Sequence, residues 1–240
     1  MKNNLYPPNG LYCADAYMAI KQIPDKSIDL IITDPPYELE TYHGAGAFGA
    51  RLIYEKIKQI SEGFDYAILD EFIRVMKHIN IYIWCSKCQI IPLLNYFAVK
   101  HNCYFNIICW HKSNSMPKCN NNFMSDTEFC LFFRQQNVPL YGNIKSKTTY
   151  YVTPTNKRDI ERFGHPTPKP LQIIENFIIN SSNVGDIVLD PFAGSAVTGV
   201  ACKNTDRQYI LFENNEEHFQ NGLNRLNNIQ ANGQMTIFAM

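Results

Sequence analysis

Ser27-Ile28-Asp29-Leu30-Ile31-Ile32-Thr33-Asp34-Pro35-Pro36-Tyr37 reads as a buried strand that stops in a rigid polar turn. Leu30-Ile31-Ile32 is apolar at consecutive positions, as a strand covered on both faces requires. Pro35 and Pro36 end the run, because proline lacks an N–H and restricts the residue before it. A second segment with the same pattern lies far downstream. Asp186-Ile187-Val188-Leu189 is followed by Asp190-Pro191-Phe192-Ala193-Gly194-Ser195, a turn rich in small residues. In open α/β sheets, ligands bind where parallel strands end at their carboxyl edges. The first segment offers a carboxylate, a backbone carbonyl and an aromatic face, which together can hold a flat base by its amino group. The second lets backbone approach a ligand closely.

Outward from these segments, strand and helix patterns alternate, predicting an α/β fold with a mostly parallel sheet and helices on both faces. Strands are expected at 11–14, 28–33, 80–85, 103–110, 127–133, 186–189 and 208–212. Helices are expected at 16–21, within 64–78, and at 92–100, 170–180, 196–203 and 215–229. Residues 38–63 hold Gly44, Gly46 and Gly49, then a helical pattern at 53–60. They read as a mobile loop over the site or as a plain surface connection.

The 240 residues suit one domain, 1–240, with a modest insertion. Net charge is zero, so no global field points to a polyanion. The charge is uneven, however. Between 134 and 170, the seven cations Arg134, Lys145, Lys147, Lys157, Arg158, Arg162 and Lys169 face only Asp159 and Glu161, a balance of +5. This stretch shows little regular periodicity. No signal-peptide core opens the chain and no run of ~18 apolar residues occurs, so neither export nor a membrane span is expected. The eight cysteines then read as reduced thiols of a cytoplasmic protein. Cys85-Ser86-Lys87-Cys88 has CxxC spacing but no companion pair, which favours a strand-to-helix turn over a metal site.

Asp34-Pro35-Pro36-Tyr37, Asp190-Pro191-Phe192-Ala193-Gly194-Ser195, Cys13-Ala14-Asp15, His165-Pro166-Thr167-Pro168-Lys169-Pro170 and Tyr209-Ile210-Leu211-Phe212-Glu213 together resemble the motifs of the S-adenosylmethionine-dependent DNA amino-methyltransferases. The catalytic motif precedes the cofactor motif, as in the circularly permuted β class of that family. The resemblance implies a Rossmann-like methyltransferase fold with a small target-recognition insertion at about 134–164. It implies S-adenosyl-L-methionine as cofactor, bound by Asp15, Ala16, Asp34, His165, Thr167, Lys169, Asp190, Phe192, Ala193, Gly194, Ser195, Glu213 and Asn214. Asp15 would meet the adenine amino group of the cofactor, and Glu213 its ribose hydroxyls. Asp15 also reads as a turn residue, and Lys169 as a solvated charge. Ala196 departs from the family, which usually has a second glycine there; its methyl is expected to narrow the approach to the cofactor. Pro168 stands where Gln is common, and His111 where an acid or amide is frequent.

The same resemblance assigns catalysis to Asp34, Pro35, Pro36 and Tyr37. An exocyclic amine is a poor nucleophile because its lone pair is delocalised into the ring. The Asp34 carboxylate and the Pro35 carbonyl would accept its two N–H bonds and turn the lone pair outward. Pro36 would stiffen the backbone and Tyr37 would stack on the base. The reaction implied is N6-methylation of adenine. Asp34 favours adenine, since cytosine-N4 enzymes of the family more often carry Ser there; cytosine-N4 methylation is the nearest alternative. A catalytically silent DNA-binding subunit is the alternative of another class. The partner is double-stranded DNA, with the target base flipped out. Lys145, Lys147, Lys157, Arg158 and Arg162 are the candidate phosphate contacts, and Tyr141, Tyr150, Tyr151 and Phe163 the candidate stacking residues. A monomer or homodimer, with or without a cognate restriction endonuclease, fits this setting.

Overall fold

The computed structural model describes residues 5–38, 63–115, 123–155 and 169–232. Eight strands form one sheet: β1 (Gly10–Cys13), β2 (Leu30–Thr33), β3 (Asn80–Cys85), β4 (Tyr104–Lys112), β5 (Thr127–Arg134), β6 (Tyr150–Thr153), β7 (Ile187–Asp190) and β8 (Gln208–Glu213). Their spatial order is β1-β8-β7-β2-β3-β5-β4-β6. Pairing is parallel except where β5 runs antiparallel between β3 and β4. The mostly parallel α/β sheet expected from the sequence is therefore present. Its central strands are buried end to end, as their continuous apolar runs require.

Six α-helices cover the sheet: α1 (Ala16–Ala19), α2 (Ile68–Val75), α3 (Lys87–Leu94), α4 (Leu171–Ser181), α5 (Val197–Asn204) and α6 (Glu216–Asn232). Alternating side chains of each strand feed two cores. On one face Ile31, Ile81, Ile83 and Leu131 pack with Ile20, Phe72 and Leu93 of the first three helices and their connections. On the other, Ile32, Tyr82, Trp84 and Phe132 pack with Ile174, Phe177, Val200 and Leu226 of the last three. Tyr82 is sandwiched between Phe132 and Phe177, each ring centroid 4.2 Å away.

Two expectations change. Helix α3 starts at Lys87, after Ser86 as N-cap, and Pro92 lies inside it rather than opening it. The stretch without periodicity contains β6, the edge strand, paired in parallel with β4 from Cys109↔Tyr150 to Lys112↔Thr153. Four residues are too few for a period to show, and an edge strand needs only one buried face. The proposed 134–164 insertion thus includes part of the sheet itself. The 38–63 loop and the helical pattern at 53–60 lie, but for their first and last residues, outside the described residues.

Candidate active site

The cofactor motifs meet at the carboxyl edge of β1, β7 and β8. Cys13 pairs with Glu213, which sets Asp15 beside the end of β8. Asp15 N-caps α1, one carboxylate oxygen accepting the Met18 N–H at 3.0 Å. A cleft here is lined by Asp15, Ala16, Tyr17, Phe192, Glu213 and Asn214, among others. Glu213 is buried and locked by backbone: Oε2 accepts the Gly194 N–H at 2.8 Å and Oε1 the Asn215 N–H at 2.9 Å. Gly194 has φ +48°, where a side chain is disfavoured. The predicted Asp15, Ala16, Phe192, Glu213 and Asn214 are therefore brought together.

The remaining residues of that turn face inward. Asp190 accepts from the Phe192 N–H at 3.1 Å and from the Thr198 hydroxyl at 2.6 Å, tying the turn to α5. Burial pushes its carboxyl up to about 7. It shapes the turn rather than lining the cleft. Ala193 donates its N–H to Phe212 O at 2.9 Å. The Ser195 hydroxyl and carbonyl each accept from Arg225 of α6 at 3.1 Å. Ala196 is buried in the left-handed region, φ +56°, which accounts for the usual glycine there. Its methyl does not narrow the cofactor approach: it lies against α6, where a Cβ on Gly222 would come within 3.1 Å of it.

Asp34 stands next to this cleft. Strands β2 and β7 pair as Leu30↔Val188 and Ile31↔Leu189, and continuing that register sets Asp34 level with Phe192. The Lys169 ammonium contacts Asp34 Oδ2 at 2.6 Å and Glu128 Oε2 at 3.0 Å. Its side chain is 4% exposed, so it is no solvated charge. It lies 5.3 Å from the Tyr37 ring and 5.1 Å from the Trp84 ring. Tyr37 Oη donates to Glu128 Oε2 at 3.3 Å. Lys112 pairs with the other oxygen of Glu128.

Burial pushes the Asp34 carboxyl above its ordinary range, and the Lys169 ammonium cancels only part of that. Burial acts the same way on Glu128, but Lys169 and Lys112 outweigh it and hold that carboxyl low. Burial would discharge Lys169, yet Asp34 and Glu128 reverse the effect and keep it an ammonium. The family resemblance implies Lys169 as a cofactor contact; the structure places it against Asp34.

Glu128 and Gln89 join the site without belonging to any of the motifs. Gln89 is fully buried, its amide donating to the Pro36 carbonyl at 3.2 Å and its oxygen accepting the Ser86 N–H at 2.9 Å. Ser86-x-x-Gln89 is the spacing of a capping box, a sequence signal able to reveal it. Glu128 is a lone acid in an otherwise apolar strand, brought to the site by the β3–β5–β4 pairing. Cys85, at the end of β3, is free, and burial pushes its thiol up to about 12. Among the described residues no cluster is fit to hold a metal.

The basic stretch divides between the two edges of the sheet. Lys145 and Lys147 are exposed, in a turn that Ser146 ties to Asn180 at the far end of α4 from Lys169. An 11-residue helix is about 16 Å long, so they sit at the amino edge, away from Asp34. Tyr141 is bound there too, through Asn183. Tyr151 packs edge-on to Phe177, whereas Tyr150 is 57% exposed. Thr155, held by Asn114 beyond the end of β4, and Lys169 flank the carboxyl edge. His165, Thr167, Lys157, Arg158, Arg162 and Phe163 lie outside the described residues.

A family profile described as DNA methylase matches residues 28–224, from the strand before Asp34 to the last helix. The chain belongs to the DNA methylase family. Type II methyltransferase M.HpaI of Haemophilus parainfluenzae is 30% identical over 236 residues, 90% of this chain and 73% of that one. DNA adenine methyltransferase YhdJ of Escherichia coli is 28% identical over 243 residues, 88% of this chain and 80% of that one. The solved M1.HpyAVI-SAM complex superposes with a TM-score of 0.67 at 28% identity, covering 90% of this chain and 98% of that one. In this DNA methylase, the profile spans Asp34, Glu128, Lys169 and Glu213 alike.

Proposed function

We propose that this DNA methylase transfers a methyl group from S-adenosyl-L-methionine to the N6 amine of a flipped-out adenine in double-stranded DNA. The observation that supports the reading is the parallel pairing of β2 with β7, so that the segment after β2, with Asp34, and the turn after β7, which lines the cleft, leave the same edge of the sheet. The similarity to an enzyme named as a DNA adenine methyltransferase, and to one crystallised with SAM, supports the substrate and the cofactor.

The cleft suits the cofactor because its polar side chains, Asp15, Tyr17, Glu213 and Asn214, can all accept hydrogen bonds, with no basic side chain among its lining residues. Acceptors serve the hydroxyls and amino group of a nucleoside and tolerate a sulfonium. When bound, the cofactor supplies an electrophilic methyl group. Asp34 and the Pro35 carbonyl accept the amine's two N–H bonds, and Asp34 then takes the proton the methylated amine releases. With the Pro36 carbonyl engaged by Gln89, the turn holds its shape and chemistry proceeds by positioning and preset electrostatics. Tyr37, anchored through its hydroxyl to Glu128, presents its ring to the base.

Lys157, Arg158 and Arg162 are candidate phosphate contacts, whereas Lys145 and Lys147 lie at the amino edge, away from Asp34. A cytoplasmic monomer or homodimer, with or without a companion endonuclease, fits the same reading. Among the described residues no helix is long and apolar enough to cross a membrane. The test is to incubate the protein with unmethylated DNA and S-adenosyl-L-methionine, digest to nucleosides and identify the product by mass. N6-methyldeoxyadenosine is expected; N4-methyldeoxycytidine or no methylated nucleoside would overturn the reading.

A further inference from the structure

Four charges form one cluster at the site: Asp34 itself, Lys169, Glu128 and Lys112. Together they sum to zero. Glu128 touches none of the groups that would meet base or cofactor except Tyr37, through its hydroxyl. It contacts both lysines, and its side chain is 12% exposed. A largely buried acid that holds one buried and one partly exposed cation costs desolvation, which a merely structural role would avoid with an apolar residue.

We propose that Glu128 is a positioning residue for methyl transfer, supplying the negative charge that offsets Lys169 and Lys112 so that the Asp34 carboxylate meets the amine in a neutral rather than cationic setting. The proposal rests on the reading of Asp34 as the amine acceptor. As the amine attacks, positive charge leaves the cofactor's sulfur and develops on the amine nitrogen. A net positive charge on this cluster, Asp34 included, opposes that development, and in a largely buried site the opposition is weakly screened. Without Glu128 the same four positions carry +1. Lys169 would also lose its second anchor, and Tyr37 would keep only Asp34 as a partner for its hydroxyl, loosening both sides of the base pocket. The four positions come from β2, β4, β5 and the segment before α4, so no local sequence pattern could reveal the balance.

The test separates charge from shape. Glu128→Gln keeps the size and the hydrogen-bonding capacity but removes the charge. Glu128→Asp keeps the charge but shortens the side chain. The charge role predicts that kcat falls about tenfold or more in Glu128→Gln and is at least several-fold higher in Glu128→Asp. It also predicts a KM for S-adenosyl-L-methionine within about twofold of wild type in both, since the cofactor cleft is separate. A packing role predicts the opposite order, Gln faster than Asp. Wild-type kcat in Glu128→Gln, or Glu128→Asp no faster than Glu128→Gln while calorimetry shows intact cofactor binding, would overturn the proposal. Variants that no longer bind the cofactor are assayed again as the Glu128→Gln and Glu128→Asp proteins at reduced temperature, where the same order decides. Failure of the adenine reading is distinguishable, because it shows in the wild-type product nucleoside before any variant is compared.

Discussion

The two halves of the site hold their carboxylates by different means. Glu213 is fixed by two backbone N–H groups, one from the turn after β7 and one from its own chain two residues on. Asp34 is fixed by a side chain, the Lys169 ammonium, which is itself shared with Glu128. Backbone donors are fixed by the fold and carry only partial charges. A buried ammonium is a full charge that must be balanced, so the Asp34 half, proposed as the catalytic one, brings a network with it. Where an acid only has to accept hydroxyls, a turn suffices. Where it has to face a developing cation, the surrounding charge has to be set as well.

The contrast predicts effects of decreasing size. Asp34→Ala removes the amine acceptor, so kcat should fall about a thousandfold or more in single-turnover assays. Lys169→Met leaves Asp34, 26% exposed, without its cation and Glu128 with Lys112 alone. Breaking a buried pair typically costs about 3–5 kcal/mol, and denaturant melts at neutral pH should show a loss of that order. A Lys169→Met protein as stable as wild type would mean that the buried network is not needed to hold the catalytic half. Glu213→Ala should weaken cofactor binding about tenfold or more, since a hydrogen bond to a charged group contributes roughly 1.5–3 kcal/mol. An unchanged dissociation constant would remove Glu213 from the cofactor site.

Smaller effects sharpen the boundary between the halves. Burial raises Asp190 to about 7, so the folded protein binds that proton more tightly than the unfolded chain does. The stabilisation this gives is full below about pH 4, the ordinary carboxylate value, and is lost as pH rises through the folded value. Asp190→Asn removes the dependence, so the Tm of the variant relative to wild type should rise between pH 5 and pH 8. A flat difference would show that Asp190 does not titrate there. Smallest of all is the amino-edge pair. Neutralising Lys145 and Lys147 should barely change the salt slope of DNA binding, while neutralising Lys157, Arg158 and Arg162 should reduce it by about 0.9 for each phosphate that no longer meets a cation. Fluorescence anisotropy over a salt series checks both.

The same division explains what is legible in the sequence. Asp34-Pro35-Pro36-Tyr37 and the turn at Gly194 are local: strand end, rigid bend and small residues adjoin in the chain, so β2, β7 and the cofactor cleft can be read directly. Glu128 cannot, because its link to Tyr37 spans 91 residues and depends on β5 running antiparallel between β3 and β4. Lys169 is legible as part of a motif, but its partners are not, and a lysine beside proline reads equally well as solvated. Charge counted along 134–170 misleads, since Lys145 and Lys147 lie at the amino edge of the sheet and Lys169 at the carboxyl edge. Strand β6 is too short to show a period.

The family resemblance assigns Asp34 to both catalysis and cofactor binding, whereas the division of the site gives it to the base alone. Titrating S-adenosyl-L-methionine into Asp34→Ala by calorimetry, beside Glu213→Ala, tests that division most directly. A dissociation constant for Asp34→Ala within about threefold of wild type is expected, because Glu213 and the Gly194 turn are untouched. A loss as large as that of Glu213→Ala would place Asp34 in the cofactor site and contradict the division.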